Sequence, residues 1–310
     1  MENLVSLIIP TYNRLELLKK AINSAINQTY KNIEIIVTDD STNELSYDYC
    51  KKLAVSEPRL KYFKNTTHKQ SPNGNKNNGF DNANGDFICI LDDDDELKSS
   101  AIQECFEFLS SGYKTVFADC LCEIDGVISE QISGRNPYKV SGKMSKIDYH
   151  CGRINGEYFK LFSREFIDEF RFDENSFGGE NELYIRFFEK DVYYHKKPLY
   201  IYRILRADSA TTNASKYPKN VAYAYLKTVS LTQKIALKYE PKFIAFLYKE
   251  AAYYAKIAGD YVLMYRCIFK SLKTKITKEA IIFLFVSFLP KIALFKLSSW
   301  RVKIKQRFGI

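Results

Sequence analysis

The sequence predicts an α/β domain built on a largely parallel sheet, followed by a helical C-terminal region. Three observations carry this. Short apolar runs alternate with stretches of helical period from the start of the chain, the pattern of successive βαβ units. The run Phe87-Ile88-Cys89-Ile90-Leu91 shows no polar alternation, as expected of a strand buried on both faces. Beyond Tyr217, apolar residues recur at three and four instead of two.

The elements follow in order. Leu4 to Ile9 reads as a strand that Pro10 stops. Leu17, Leu18, Ala21, Ile22, Ala25 and Ile26 set a helix over Leu15 to Gln28. Ile33 to Thr38 is a second strand, Tyr47 to Ser56 a helix and Leu60 to Phe63 a third strand. A polar, glycine-containing stretch from Asn65 to Gly85 holds a short helix near Asn75 to Ala83. The buried strand then runs into Asp92-Asp93-Asp94-Asp95-Glu96. Val116 to Cys122 and Val127-Ile128 form a hairpin across Gly126, and Gly178-Gly179 precede an acid-led helix with Leu183, Phe187 and Phe188 on one face. Val192 to His195 and Leu199 to Arg203 read as two closing strands.

Parallel sheets bind ligands beyond the carboxyl ends of their strands. Pro10 to Arg14, Asp39 to Ser41 and Asp92 to Asp95 all fall at such ends, so they converge on one crevice. Five adjacent carboxyl groups cannot all stay ionised without a counter-charge. Hard oxygen donors with no His or Cys beside them call for Mg²⁺ or Mn²⁺, not zinc. In extended chain Asp92 and Asp94 face one way, Asp93 and Asp95 the other. The competing expectation for this run is an acidic cap on a helix starting near Ser99. No G-x-G-x-x-G follows the first strand and no G-x-x-x-x-G-K-[ST] occurs, which argues against a dinucleotide site or a P-loop.

The chain of 310 residues carries a net charge of +9, unevenly placed. Residues 264–310 hold eleven Lys/Arg against Glu279 alone, which leaves the rest of the chain at −1. Such a tail calls for an anionic partner. Ala280 to Leu289 is apolar but about half the length that a spanning helix needs. With Lys291, Lys296 and Trp300 beyond Pro290, it suits a helix lying on anionic lipid; the alternative is a buried helix with a solvated basic end. Phe283, Phe285, Phe288 and Trp300 sit among aliphatic residues, which favours lipid over stacked bases and argues against nucleic acid. No signal peptide is expected from Met1-Glu2-Asn3, and seven scattered cysteines suit a reduced cytoplasmic core. Ala251 to Tyr261 is similar to one tetratricopeptide helix-turn-helix, and a lone His195 is expected to be structural.

Four stretches together resemble family 2 inverting glycosyltransferases: Pro10-Thr11-Tyr12-Asn13-Arg14, Asp39-Asp40-Ser41, Asn75-Lys76-Asn77-Asn78-Gly79, and Gly85 to Asp95. The resemblance implies a GT-A fold, a Rossmann-like mixed sheet flanked by helices, over residues 1–212, with a helical, basic, membrane-associating region over 213–310. It implies a UDP-sugar donor. Thr11 and Asn13 are then expected near the nucleoside, with Pro10, Tyr12 and Asp93 in the same donor-binding set. Asp40 accepts from uracil N3–H, Asp92 contacts ribose and Asp94 binds the metal. Lys76 stands where the family usually has Arg, keeping the charge but losing the planar fork. The family's catalytic base falls at Glu180, with Glu182 as the alternative; the commoner residue there is Asp. The segment from Arg203 to Ser209 resembles the family's loop over the donor diphosphate, so Arg203 and Arg206 are candidates for phosphate or acceptor.

Within the family, His68 to Gly79, Leu91 to Leu97, Ile201 to Ile204 and Ala251 to Lys256 are similar to the branching glucosyltransferases of bacterial protein N-glycosylation. That similarity implies UDP-glucose as donor and an undecaprenyl-diphosphate-linked oligosaccharide rich in GalNAc as acceptor. A β-linked glucose branch would be added at the cytoplasmic face of the inner membrane, the protein attached peripherally. Other family 2 roles, in lipopolysaccharide, lipooligosaccharide or capsule synthesis, are the alternative, and a glycan-binding module without catalysis is a further one.

Overall fold

The structure, a computed structural model, describes residues 3–176, 178–204 and 216–290. The chain divides into two compact units, residues 1–212 and 213–310.

The first unit holds β1 (Val5–Thr11), α1 (Leu15–Ile26), β2 (Ile33–Asp39), α2 (Leu45–Leu53), β3 (Leu60–Lys64), α3 (Pro72–Asp81) and β4 (Phe87–Ile90). It continues with β5 (Glu96–Leu97), α4 (Ala101–Ser110), β6 (Thr115–Ile124), β7 (Val127–Ile132), β8 (Gly142–Lys143) and α5 (Lys146–His150). β9 (Tyr158–Ser163), α6 (Asn181–Phe187) and β10 (Val192–Arg203) complete it. The main path of the sheet is β3-β2-β1-β4-β9-β6-β10-β5, with β7 on β6 and β8 on β10. β1 to β4 are parallel, as the βαβ series requires, and β9 runs antiparallel between β4 and β6. The sheet is therefore mixed.

Both faces of the first strands are buried. Leu7 and Ile35 pack on one side with Leu18 and Ile22 of α1, while Ile8 and Ile36 pack on the other with Phe80, Phe117 and Phe162. This explains the missing polar alternation.

Two boundaries differ from expectation. β1 continues through Pro10 to Thr11, paired with Thr38 and Asp39. Val5 N–H donates to Asn32 on the β2 side, so by alternation Pro10 faces β4, whose pairing with β1 ends at Ile90. The missing N–H thus falls where no partner is left. The two expected closing strands are one strand, β10, with register shifts around Pro198 on β6. A proline cannot donate to the ladder, so the strand bulges there and resumes.

The second unit comprises α7 (Pro218–Tyr239), α8 (Pro241–Ala258), α9 (Tyr261–Thr274) and α10 (Lys278–Val286). Gly259, at φ +82°, ends α8, and Asp260 caps α9 by accepting from Leu263 N–H at 2.9 Å. This is the tetratricopeptide-like turn. Ala251, Ala255, Met264, Ile268, Ala280 and Phe283 form the core of this unit. The apolar residues of α10 and the turn after it divide sharply. Ala280 and Phe283 are buried, whereas Ile282, Phe285 and Phe288 are 60%, 70% and 72% exposed. No helix among the described residues is long and apolar enough to cross a membrane. The basic positions from Lys291 onward, and Trp300, lie outside the described residues.

Candidate active site

Helix α3 organises the crevice. Its sequence, Pro72-Asn73-Gly74-Asn75-Lys76-Asn77-Asn78-Gly79-Phe80-Asp81, has almost no apolar content, yet residues 73–80 are buried. Ser71 caps it, accepting from Gly74 N–H at 3.1 Å, and Pro72 fills the first turn. A buried polar helix is stable only if its side chains find partners, and here they find them on two sides. Asn75 donates to the Thr11 carbonyl at 3.0 Å and accepts from the Thr38 hydroxyl at 2.8 Å, while Asn78 donates to the same hydroxyl. Asn73 donates to the Asp173 carbonyl at 2.9 Å. Asn77 accepts from Phe172 N–H at 2.8 Å and donates to its carbonyl at 3.0 Å. One face of α3 thus holds the ends of β1 and β2, the other the segment that leads to Glu180. Gly79 allows this closeness: a Cβ there would lie 2.4 Å from Ile8 Cγ2.

The strand-end residues converge as expected. Asn13 adopts φ +55° and clasps the neighbouring loop. Its N–H donates to Ser41 Oγ at 2.7 Å and its Oδ1 accepts from Thr42 N–H at 3.0 Å. Asp40 N–H donates to the Thr11 carbonyl at 3.1 Å, and Asp40 Oδ1 accepts from Asn65 at 2.7 Å. Burial raises the Asp40 carboxyl to about 6, against the lowering effect of Asn65. Tyr12 is exposed at the mouth.

The acidic run splits by direction. Asp93 and Asp95 are buried, Asp92 and Asp94 partly exposed. Asp93, grouped by the resemblance with the donor contacts, faces back into the sheet. It accepts from the Thr11 hydroxyl at 2.7 Å and from Arg14 at 3.0 Å. Thr11 is correspondingly turned onto Asp93 rather than toward the crevice. Burial raises Asp93 to about 6, opposed by Arg14. Asp95 accepts from the Tyr200 hydroxyl and from Arg203 N–H, both at 2.8 Å, tying β10 to the end of β4. The expected helix cap is absent: β5 follows the run, and α4 starts only at Ala101 behind Ser100. One oxygen each from Asp92, Asp94 and Asp95 lie within 4.8 Å of one another. Burial, then the charges of Asp94 and Asp92, pushes the Asp95 carboxyl well up, even with Arg14 3.2 Å from Asp94 and Lys76 3.7 Å from Asp92. Hard oxygen donors so arranged fit a divalent cation such as Mg²⁺ or Mn²⁺.

Lys76 projects from α3 between the two walls. Its Nζ lies 2.9 Å from Glu180 Oε1 and 3.7 Å from Asp92 Oδ1. Burial pulls this ammonium down, and the carboxylates of Asp92 and Glu180 more than reverse it. The Lys76 charge in turn holds Glu180 below the usual carboxylate range. Glu180 immediately precedes α6, and its Oε2 accepts from Gly179 N–H at 3.0 Å. Glu182, the alternative, lies in the first turn of α6.

Arg203 sits apart from the role expected of it. Its guanidinium donates to Glu123 at 2.8 Å, to Glu96 and to the Asp94 carbonyl at 2.6 Å, and its side chain is buried. It fixes the backbone under Asp94 and reaches toward no open space. Arg206 lies outside the described residues. His195 contacts Glu104 and Phe108, as a structural residue. The seven cysteines are buried and free. Two contributors stood in the quoted motifs without a role of their own: Arg14, which also lies 3.2 Å from Asp94, and the asparagines of α3.

The chain is similar to known proteins over nearly its whole length. The family model described as glycosyl transferase family 2 matches residues 6–171. The chain is 40% identical, over 97% of its length and 98% of the relative's, to GalNAc(5)-diNAcBac-PP-undecaprenol beta-1,3-glucosyltransferase of Campylobacter jejuni. It is 35% identical, over 35% of its length and 42% of the relative's, to an Escherichia coli protein. That protein is the UDP-Glc:alpha-D-GlcNAc-diphosphoundecaprenol beta-1,3-glucosyltransferase WfaP. Among solved structures, Staphylococcus aureus TarS 1–349 in complex with UDP-GlcNAc superposes with a TM-score of 0.59 at 13% identity. That match covers 87% of this chain and 88% of TarS 1–349, a likeness of fold.

Proposed function

The chain belongs to glycosyltransferase family 2, and on that premise we propose that it moves glucose from UDP-glucose to a lipid-linked acceptor. The acceptor in this reading is an undecaprenyl-diphosphate-linked oligosaccharide containing GalNAc, and the product carries a β-linked glucose branch for protein N-glycosylation. The observation that carries the reading is the 40% identity maintained over 97% of the chain with a relative named for that acceptor and that linkage. The UDP-Glc and diphosphoundecaprenol in the name of WfaP support the same donor and the same class of lipid.

The residues divide the work. Asp40 accepts from the uracil N3–H, and Asp92 lies where the ribose is expected. A divalent cation held by Asp94 with its neighbouring carboxylates would neutralise charge on the departing diphosphate. Glu180, kept ionised by Lys76, removes the proton from the acceptor hydroxyl. The hydroxyl oxygen then bonds to the anomeric carbon as the bond from that carbon to the diphosphate oxygen breaks. UDP departs from the opposite face. A single displacement of this kind inverts an α-linked donor to a β-linked product. Arg203 serves the site indirectly, by holding the Asp94 backbone.

The exposed Ile282, Phe285 and Phe288 support peripheral contact of the second unit with the inner-membrane surface, where a lipid-linked acceptor resides. A panel of UDP-sugars assayed against lipid-linked acceptor tests the donor. Transfer from UDP-glucose is expected; transfer from UDP-galactose and not UDP-glucose would contradict the proposal.

A further inference from the structure

The resemblance gives Lys76 to the donor, but in the structure this ammonium is engaged with Glu180. The contact is made from inside. The Lys76 side chain is 9% exposed and that of Glu180 29%, so solvent reaches the pair mainly from the carboxylate side. Glu180 has its other oxygen on the Gly179 N–H, and the segment before it is fastened to α3, the helix that carries Lys76, through Asn73 and Asn77. The base and its cation are thus mounted on one brace. We propose that Lys76 is a positioning residue for Glu180, holding the carboxylate in its ionised form and in one orientation before the acceptor arrives. The inference rests on the reading of Glu180 as the base.

Other charges face Glu180, and none replaces Lys76. Lys160 on β9 is already bonded to Glu157 at 2.8 Å and to the Tyr158 carbonyl. Tyr184 of α6 and Tyr149 of α5 are held in their neutral form by burial, which raises both phenols well above their ordinary range. Asp92 lies beyond Lys76 and competes for the same ammonium at 3.7 Å. A lysine can divide its three N–H donors between two carboxylates in different planes, which a planar guanidinium does less readily. The departure from the family's usual Arg suits this shared geometry.

The test is the pH dependence of kcat/KM for transfer from UDP-glucose, which reports the base in the free enzyme. In Lys76→Met the acid limb moves to higher pH, so the loss of activity is about tenfold or more greater at pH 6 than at pH 8.5. Lys76→Arg returns the limb toward that of the parent enzyme. If Lys76→Met does not fold, shown by loss of its melting transition, Lys76→Gln makes the same comparison with a neutral side chain that still donates. A uniform fall at every pH, with weaker UDP-glucose binding and an unmoved limb, overturns the inference and makes Lys76 a donor contact only. Full transfer by Glu180→Gln would instead overturn the reading of the base itself, so the two failures are distinct.

Discussion

Helices α3 and α10 invert the usual relation between polarity and burial, in opposite senses. α3 is made of asparagines, glycines and a lysine, and residues 73–80 are buried. α10 is made of Ile, Phe, Leu and Val, and Ile282 and Phe285 lie largely in solvent. Neither follows from folding economy alone, since a buried amide is costly without a partner and an exposed phenylalanine gains nothing. In α3 the difference is explained by what the helix holds: each buried asparagine is bonded to a strand end or to the segment leading to Glu180. In α10 the difference is explained, on the proposed function, by a surface outside the protein. On the proposed function, mismatch between composition and burial marks two places among the described residues where this chain does something other than fold.

Several substitutions break or sharpen that contrast. The largest effect is expected from Asp94→Ala, at the wall that α3 braces. Transfer should fall by about a thousandfold or more, and chelation of divalent cations should reproduce the loss in the parent enzyme. Asp94 also repels Asp93 and Asp95. That relief opposes the loss of the Arg14–Asp94 pair, so the melting temperature should change little, and a large fall would mean that Asp94 is structural. Asn77→Ala comes next. It strands the N–H and carbonyl of Phe172, at a cost of about 1–3 kcal/mol in unfolding free energy, with kcat lowered because Glu180 is less firmly held. Denaturant titration showing no loss would remove α3 from its bracing role.

A smaller effect concerns pH. The Asp40 carboxyl, raised to about 6, is ionised at pH 7 and gains a proton as the pH falls through that value. On the proposed role of this carboxylate as the acceptor for uracil, UDP binding should weaken below pH 6, by about tenfold per unit at the limit. In Asp40→Asn that dependence should disappear, leaving only the contribution of Asp93, which titrates in the same range. Titration calorimetry across pH 5 to 8 reads both. The smallest effect on the fold is expected from Phe285→Ser with Phe288→Ser. Stability should change by less than about 0.5 kcal/mol per site, while flotation with anionic vesicles declines. Undiminished flotation would leave the exposed face of α10 without its proposed partner.

The pattern of legibility in the sequence follows the same division. β1 to β4 and their helices were readable because each strand is a short, mainly apolar run and each of α1, α2 and α4 turns one apolar face to the sheet. The convergence of Asp40, Asp92 and Asp94 was readable because parallel topology puts strand ends together. α3 was read only as a short helix in a polar stretch, since a helix held by side-chain hydrogen bonds leaves no hydrophobic period. Strand alternation set Asp93 apart from Asp92 and Asp94, but its bonds to Thr11 and Arg14, and the locking of Arg203 by Glu96, Glu123 and the Asp94 carbonyl, were not readable, because each depends on partners far away in sequence. The continuous β10 was hidden by Pro198, which breaks a ladder locally without ending the strand.

The proposed function turns on Glu180 as the base of a glucosyl transfer from UDP-glucose. Its most direct test is Glu180→Gln, with transfer to lipid-linked acceptor and UDP-glucose affinity measured on the same preparation. The account predicts transfer reduced by about 10²–10⁴-fold with UDP-glucose binding retained. Transfer at the parent rate by the folded variant would contradict it.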